Sequence, residues 1–166
     1  MNRASEGDLK CIEVQLGRKP RDVHGIAYRC ACGQPAVVET IPRLADGTPF
    51  PTFYYATCPK LTAAISTLET TGLMADMNGR LGEDIELAGA YAAAHDNYLA
   101  AREAVGIDVP EIANISAGGM PDRVKCLHSL IAHSLAVGTG VNPLGDEALE
   151  KLPQWWSQSR CEGPLP

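Results

Sequence analysis

The alternation of apolar and polar residues predicts one β-hairpin in the first half of the chain. β-rich runs over residues 36–44 and 49–57 flank Asp46-Gly47, a dipeptide typical of two-residue hairpin loops. Continuing the register set by that loop places Cys58 opposite Pro35. Three prolines within the two runs lack the N–H that a ladder needs, so we expect the ribbon to form a sheet edge or to be locally bulged.

Apolar residues at three- and four-residue spacing predict helices over most of the remaining chain. Pro59 suits the first position of a helix, and Asp122 is the expected N-cap of a later one. Gly138 and Gly140 would end that later helix. The predicted helices cover residues 59–70, about 74–81, 84–105, 122–136 and 142–152.

The organisation of the chain predicts a single globular domain over residues 9–152, with a flexible tail at 1–8 and a C-terminal tail at 153–166. Within the domain, residues 9–29 are predicted as a short helix or an extended segment, and residues 106–117 as a connector. The expected fold class is α+β, a small hairpin-based antiparallel sheet packed with four to five helices.

Composition and charge narrow the classes of function. The chain has 166 residues, 45% of them hydrophobic and 20% charged, which is typical of a folded domain. A net charge of −6 argues against nucleic acid as a partner. No apolar stretch approaches the roughly 18 residues of a membrane span, and the start lacks the apolar core of a signal peptide. We therefore expect a cytoplasmic protein.

The six cysteines are the main chemical signal. In a cytoplasmic protein they are expected to be thiols, metal ligands or redox residues rather than structural disulfides. The predicted hairpin brings Cys58 near Cys30 and Cys32, and Cys126 and His133 share one margin of the predicted helix 122–136. These five residues are the candidate ligands of a zinc ion or an iron–sulfur cluster, with His133 or Cys32 as the fourth donor.

Other roles for the same residues stay open. The cysteines could be buried core residues, which is the expectation for Cys11 and Cys161, or Cys58 could form a reversible disulfide with Cys30 or Cys32. If the protein is an enzyme, the catalytic candidates are Cys126 as nucleophile with His128 or His133 as acid and base. Beside them, Arg123 and Lys125 would hold a small anion at the start of the helix. A non-enzymatic interaction module is a further alternative.

Three runs resemble the uncharacterised bacterial domain-of-unknown-function family 501. They are residues 29–39 (RCACGQPAVVE), 46–59 (DGTPFPTFYYATCP) and 118–133 (GGMPDRVKCLHSLIAH). The family's motif positions carry over onto the following residues: Cys30, Gly33, Pro35, Phe50-Pro51-Thr52, Cys58-Pro59, Lys125-Cys126-Leu127-His128 and His133. Cys32 departs from the family pattern. The resemblance implies no assigned activity; the family is common in actinobacteria, and its gene neighbourhood suggests a link to cell division or polyphosphate metabolism.

Overall fold

The computed structural model describes residues 3–157 and has an α+β fold in one domain. A three-stranded antiparallel sheet packs with six α-helices, one more than the four to five predicted. Within the described residues, no helix combines the length and apolarity needed to cross a bilayer. The elements are α1 (Glu6–Leu16), β1 (Val23–Arg29), β2 (Pro35–Thr40), β3 (Tyr54–Ala56), α2 (Pro59–Glu69), α3 (Leu73–Glu83), α4 (Ile85–Glu103), a short 3-10 helix (Pro110–Ile112), α5 (Leu127–Val137) and α6 (Pro143–Glu150).

The sheet has the order β1-β2-β3, with β2 in the centre. Pairing of Val37 with Ala56 continues the predicted register, which is confirmed for β2 and β3. At the hairpin tip the register shifts by one residue, because the Leu44 N–H bonds to the Thr48 carbonyl across a three-residue loop. Gly47 there has φ +89°, a left-handed conformation that glycine adopts without strain. The first strand, β1, lies within residues 9–29, for which the sequence predicted either a short helix or an extended segment.

Helix α1 begins within the segment predicted to be a loose tail. Ser5 and Asp8 form a reciprocal capping box, which satisfies backbone N–H groups at the helix start. Asp8 also accepts two hydrogen bonds from the Arg29 guanidinium, at 2.8 and 2.9 Å. Further along α1, Gln15 donates to the Pro35 carbonyl and accepts from the Thr57 hydroxyl. These contacts fasten α1 to the sheet.

The main core lies between the sheet and helices α2 to α6. Tyr91 and Tyr98 of α4 are fully buried, as their spacing predicts. The Tyr98 hydroxyl accepts hydrogen bonds from the backbone N–H groups of Phe53 and Tyr54, so α4 fixes the entry of the chain into β3. Buried α5 residues fill the space between these aromatic rings and α6.

Helix α5 begins at Leu127, five residues after the predicted N-cap Asp122. The preceding segment forms turns instead, in which the Lys125 N–H bonds to the Gly118 carbonyl. Gly119 has φ +95°, and a Cβ atom there would collide with the backbone of Arg123. The prediction that Cys126 lies on a face of the helix is therefore wrong, since Cys126 is the extended residue just before α5.

Candidate functional site

A group of three polar side chains lies where the end of α2 meets the start of α5. Glu69 is the last residue of α2, Cys126 is the N-cap of α5, and His128 is in its first turn. One potential ligand atom from each of these residues lies within 4.8 Å of the other two. Within residues 3–157, this is the group of three or more His, Cys, Asp or Glu side chains whose ligand atoms meet that distance.

Each of the three side chains also has a hydrogen-bond contact with a residue outside the group. Glu69 accepts from the Leu127 N–H through Oε2 (2.8 Å), and its Oε1 lies 3.2 Å from His128 Nδ1. The other ring nitrogen of His128, Nε2, lies 3.4 Å from the Ser66 hydroxyl. The Ser129 hydroxyl donates to Cys126 Sγ over 3.9 Å. The positions of the three donor atoms are thus fixed by their surroundings.

The electrostatics of the group favour an ion pair between Cys126 and His128. Burial alone would raise the pKa of the Cys126 thiol, but His128 and the backbone N–H of Ser129 outweigh it, so this pKa lies below its ordinary value. The interaction with Cys126 raises the pKa of His128 against the opposing effect of burial, and Glu69 adds to the rise. The group therefore favours the thiolate form of Cys126 more than an ordinary cysteine environment does.

Cys126 and His128 open into a cavity of about 530 Å³. Helix α1 supplies one wall through Gln15 and Leu16, and β3 supplies another, which includes Tyr55. Glu69 is not part of the cavity lining but lies next to His128, which is. A small molecule in this cavity could therefore approach the sulfur atom and the imidazole together.

Of the five predicted ligands, Cys126 alone belongs to the three-residue group. Cys30 and Cys58 are buried and Cys32 is half-buried. Cys58 precedes α2 and Glu69 ends it, so their backbones lie about 16 Å apart along an 11-residue helix. The hairpin does place Cys58 at the end of the sheet near Cys30, but α5 begins at the opposite end of α2.

His133 lies inside the core rather than at the site. It has no exposed surface, and its ring contacts Tyr54 and Tyr98 at centroid distances of 5.8 and 5.1 Å. Its Nε2 lies 2.8 Å from Asn97 Oδ1, and its Nδ1 lies 3.2 Å from Asn142 Nδ2. Burial lowers the pKa of His133 to about 4, so the ring is neutral at pH 7.

The remaining candidates lie elsewhere. Arg123 and Lys125 are exposed and do not line the cavity beside Cys126. Cys11 is buried as predicted, its thiol donates to Gln34 Oε1, and burial raises its pKa to about 11. Cys161 falls outside the described residues.

His128 is the one histidine of the predicted pair that the structure brings to Cys126, and Glu69 was missed. A sequence signal for Glu69 existed, because a glutamate in the last turn of a helix is unfavourable with the helix dipole. Its carboxylate instead accepts a hydrogen bond from the first N–H of α5, where the dipole of α5 favours a negative charge. A residue distant in sequence thus caps a helix whose own N-cap, Cys126, makes no side-chain cap bond.

Comparison with known proteins gives one match, and it is to a family without an assigned activity. No curated protein and no solved structure matches the chain significantly. The family model of the protein of unknown function DUF501 matches residues 26–150, which include α2, Cys126 and His128. The chain therefore belongs to the DUF501 family.

Proposed function

We propose that the protein binds a zinc-class divalent metal ion through Glu69, Cys126 and His128. The observation that carries the proposal is the convergence of one oxygen, one sulfur and one nitrogen donor within 4.8 Å. These are the donor types that zinc takes from proteins. The 3.2 Å between Glu69 Oε1 and His128 Nδ1 is close to the ~3.3–3.8 Å edge of a tetrahedron with zinc bonds of about 2.0–2.3 Å.

The hydrogen bonds behind the donors support the same reading. A metal-binding histidine usually bonds a second group through its other ring nitrogen, as His128 Nε2 does with the Ser66 hydroxyl. Glu69 keeps one oxygen on the Leu127 N–H, which leaves the other for the metal. A thiolate at Cys126 is the form that coordinates metal, and the lowered pKa of this cysteine favours it.

Three protein ligands beside a cavity are typical of a catalytic metal site rather than a structural one. The fourth position would face the 530 Å³ space that Cys126 and His128 line, where a water or a substrate oxygen fits. A metal ion there supplies Lewis acidity or an activated water. With a single cysteine, the group suits zinc better than an iron–sulfur cluster, which takes several thiolates. We place this chemistry in the cytoplasm, where thiols stay reduced.

Elemental analysis of the full chain, purified without chelators, tests the proposal. We expect about one zinc per chain, lost in Cys126→Ser, His128→Ala and Glu69→Gln and retained in the control Cys58→Ser. Cobalt titration should give a sulfur-to-cobalt charge-transfer band that Cys126→Ser abolishes. Ser66→Ala should weaken metal affinity by about tenfold, the lower end for the loss of an outer partner.

Two results would overturn the assignment. One is a wild-type protein that holds no metal and takes up no cobalt. The other is metal that survives Cys126→Ser and disappears with Cys58→Ser, Cys30→Ser or Cys32→Ser, which would favour the ligand set predicted from the sequence. A broad visible absorption band in anaerobically purified protein would favour an iron–sulfur cluster at those cysteines.

A second candidate function is thiol nucleophile chemistry without a metal. It is favoured by the lowered pKa of Cys126 together with a base, His128, whose Nδ1 lies 3.2 Å from Glu69 Oε1. If this function is correct, iodoacetamide at pH 7 should alkylate Cys126 faster than Cys32 in metal-free wild-type protein. Slow alkylation of Cys126 in metal-free protein would exclude it, while protection by added zinc would support the metal site.

A further inference from the structure

A second cleft adjoins the cavity beside Cys126, on the outer side of the sheet. Leu16, Tyr55 and Thr57 line both spaces, so the two share a wall. The second cleft has a volume of about 160 Å³ and runs between α1 and the strands. If a heavy atom takes roughly the ~30 Å³ of a water molecule, the cleft has room for a chain of about five such atoms.

The walls of this cleft are apolar, and its mouth is basic. The buried Ile12, Val38 and Leu44 line it together with the partly buried Val23 and Phe50, and these apolar side chains favour an aliphatic or aromatic group. Arg18 and Arg21, both exposed, also line it. Between residues 3 and 157, neither guanidinium takes part in any of the salt bridges of the structure.

The positive charge at the mouth stands out against the net charge of −6. Two guanidinium groups beside an apolar cleft complement a molecule with an anionic end and an apolar body. A carboxylate and a phosphate monoester share this chemistry, since arginine binds either one bidentately. A neutral apolar compound would offer no anionic group to either guanidinium; within the protein, Arg18 donates to the Lys19 carbonyl over 3.5 Å and Arg21 interacts electrostatically with Asp46.

We propose that the ligand of this protein is a small amphipathic anion. Its carboxylate or phosphate lies at Arg18 and Arg21, its apolar body fills the cleft beside Val23 and Val38, and its other end lies against the wall that the cleft shares with the cavity at Cys126. This inference goes beyond the proposed function, because none of the three proposed metal ligands lines the cleft. The binding of the apolar body and of the anion needs no metal.

An amide NMR titration of the full chain with hexanoate, hexyl phosphate and 1-hexanol tests the assignment. Hexanoate or hexyl phosphate should shift the amide signals of Val23, Val38 and Tyr55, and 1-hexanol should bind at least about fivefold more weakly. The tighter of the two anions identifies the head group. Arg18→Gln/Arg21→Gln should weaken anion binding by about fivefold to tenfold, as two partly exposed charge contacts allow.

Two further variants make the experiment specific. Val23→Phe fills the cleft and should abolish binding of hexanoate and hexyl phosphate. Urea unfolding confirms that the variant is folded. The matched charge control is Arg123→Gln/Lys125→Gln, which removes two positive charges from the segment that the sequence proposed as the anion anchor. It should leave hexanoate binding unchanged.

The outcomes separate this inference from the metal site, because zinc content is measured on the same samples. Zinc present without anion binding, or anion binding that survives Arg18→Gln/Arg21→Gln, overturns the ligand assignment alone. Binding lost in Arg123→Gln/Lys125→Gln also overturns it. Anion binding that depends on Arg18 and Arg21 in a protein without zinc supports the ligand and overturns the metal.

Discussion

His133 should make the stability of the fold depend on pH between about 4 and 6.5. Its environment selects the neutral ring, because Asn97 Oδ1 accepts from Nε2 and the Asn142 amide donates to Nδ1. A proton on Nδ1 would face that amide N–H group, in a place without exposed surface. Protonation of the folded state is therefore suppressed, whereas the unfolded chain takes up the proton freely.

The magnitude follows from the two pKa values. The folded pKa of about 4 lies below the ordinary value of 6.5, so the unfolded state binds more protons throughout the interval between them. The contribution of the neutral ring is complete above pH 6.5 and is lost as the pH falls toward 4. At pH 5 the loss relative to pH 7 is about 2 kcal/mol, and at pH 4 it is about 3 kcal/mol.

Urea unfolding at pH 7 and pH 5 measures this difference. The wild type should lose about 2 kcal/mol more than His133→Gln between the two pH values, because glutamine does not titrate. Zinc content should be unchanged in His133→Gln, since His133 lies outside the three-residue group.

An equal pH dependence in wild type and His133→Gln would refute the reasoning about burial. Loss of zinc in a folded His133→Gln protein would refute the separation of this residue from the metal site. The two readouts are independent, because one reports the protonation of a core side chain and the other reports coordination.

Three further substitutions test the packing that supports the site. Asp8→Asn should lower the free energy of unfolding by about 1–2 kcal/mol at pH 7, measured in urea. Because Arg29 lowers the pKa of Asp8 to about 2, this deficit should shrink as the pH falls below about 4. A deficit that stays constant with pH would contradict the ion pair. Gly145→Ala should cost about 2–4 kcal/mol in thermal unfolding, because its Cβ would meet the Leu130 carbonyl, and wild-type stability would disprove this. Tyr98→Phe should cost about 2–3 kcal/mol by leaving two buried N–H groups without an acceptor, which amide exchange at those groups would reveal.

The sequence predicted those parts of the fold that depend on local signals. Pro59 marks the start of α2 at the predicted residue, and the helix predicted over residues 84–105 appears as α4 with Asp84 as its N-cap. The β2–β3 register followed from the position of Asp46-Gly47 even though the loop has three residues. In each case, a turn or cap residue lies next to the feature it determines.

The site was less accessible because its geometry depends on contacts between distant residues. The start of α5 is set by left-handed glycines and by a carboxylate 58 positions away, and neither follows from apolar periodicity. A helix that begins at Asp122 would have Cys126 and His133 on the same side. In the structure Cys126 has extended backbone before α5, and its side chain lies beside His128. The cysteine pattern marked the start of α2 at Cys58, whereas the oxygen donor Glu69 lies at the other end of that helix.

The location of the group at two helix ends has a consequence for the whole domain. A bound ion would act as a clamp between α2 and α5, which otherwise meet through the Glu69–Leu127 bond, the contacts of His128 with Ser66 and Glu69, and apolar packing. Since the unfolded chain has no such clamp, metal at a hundred times its dissociation constant would add about 2.7 kcal/mol to stability. Metal supply would then set how long the folded protein persists, independently of any reaction in the cavity.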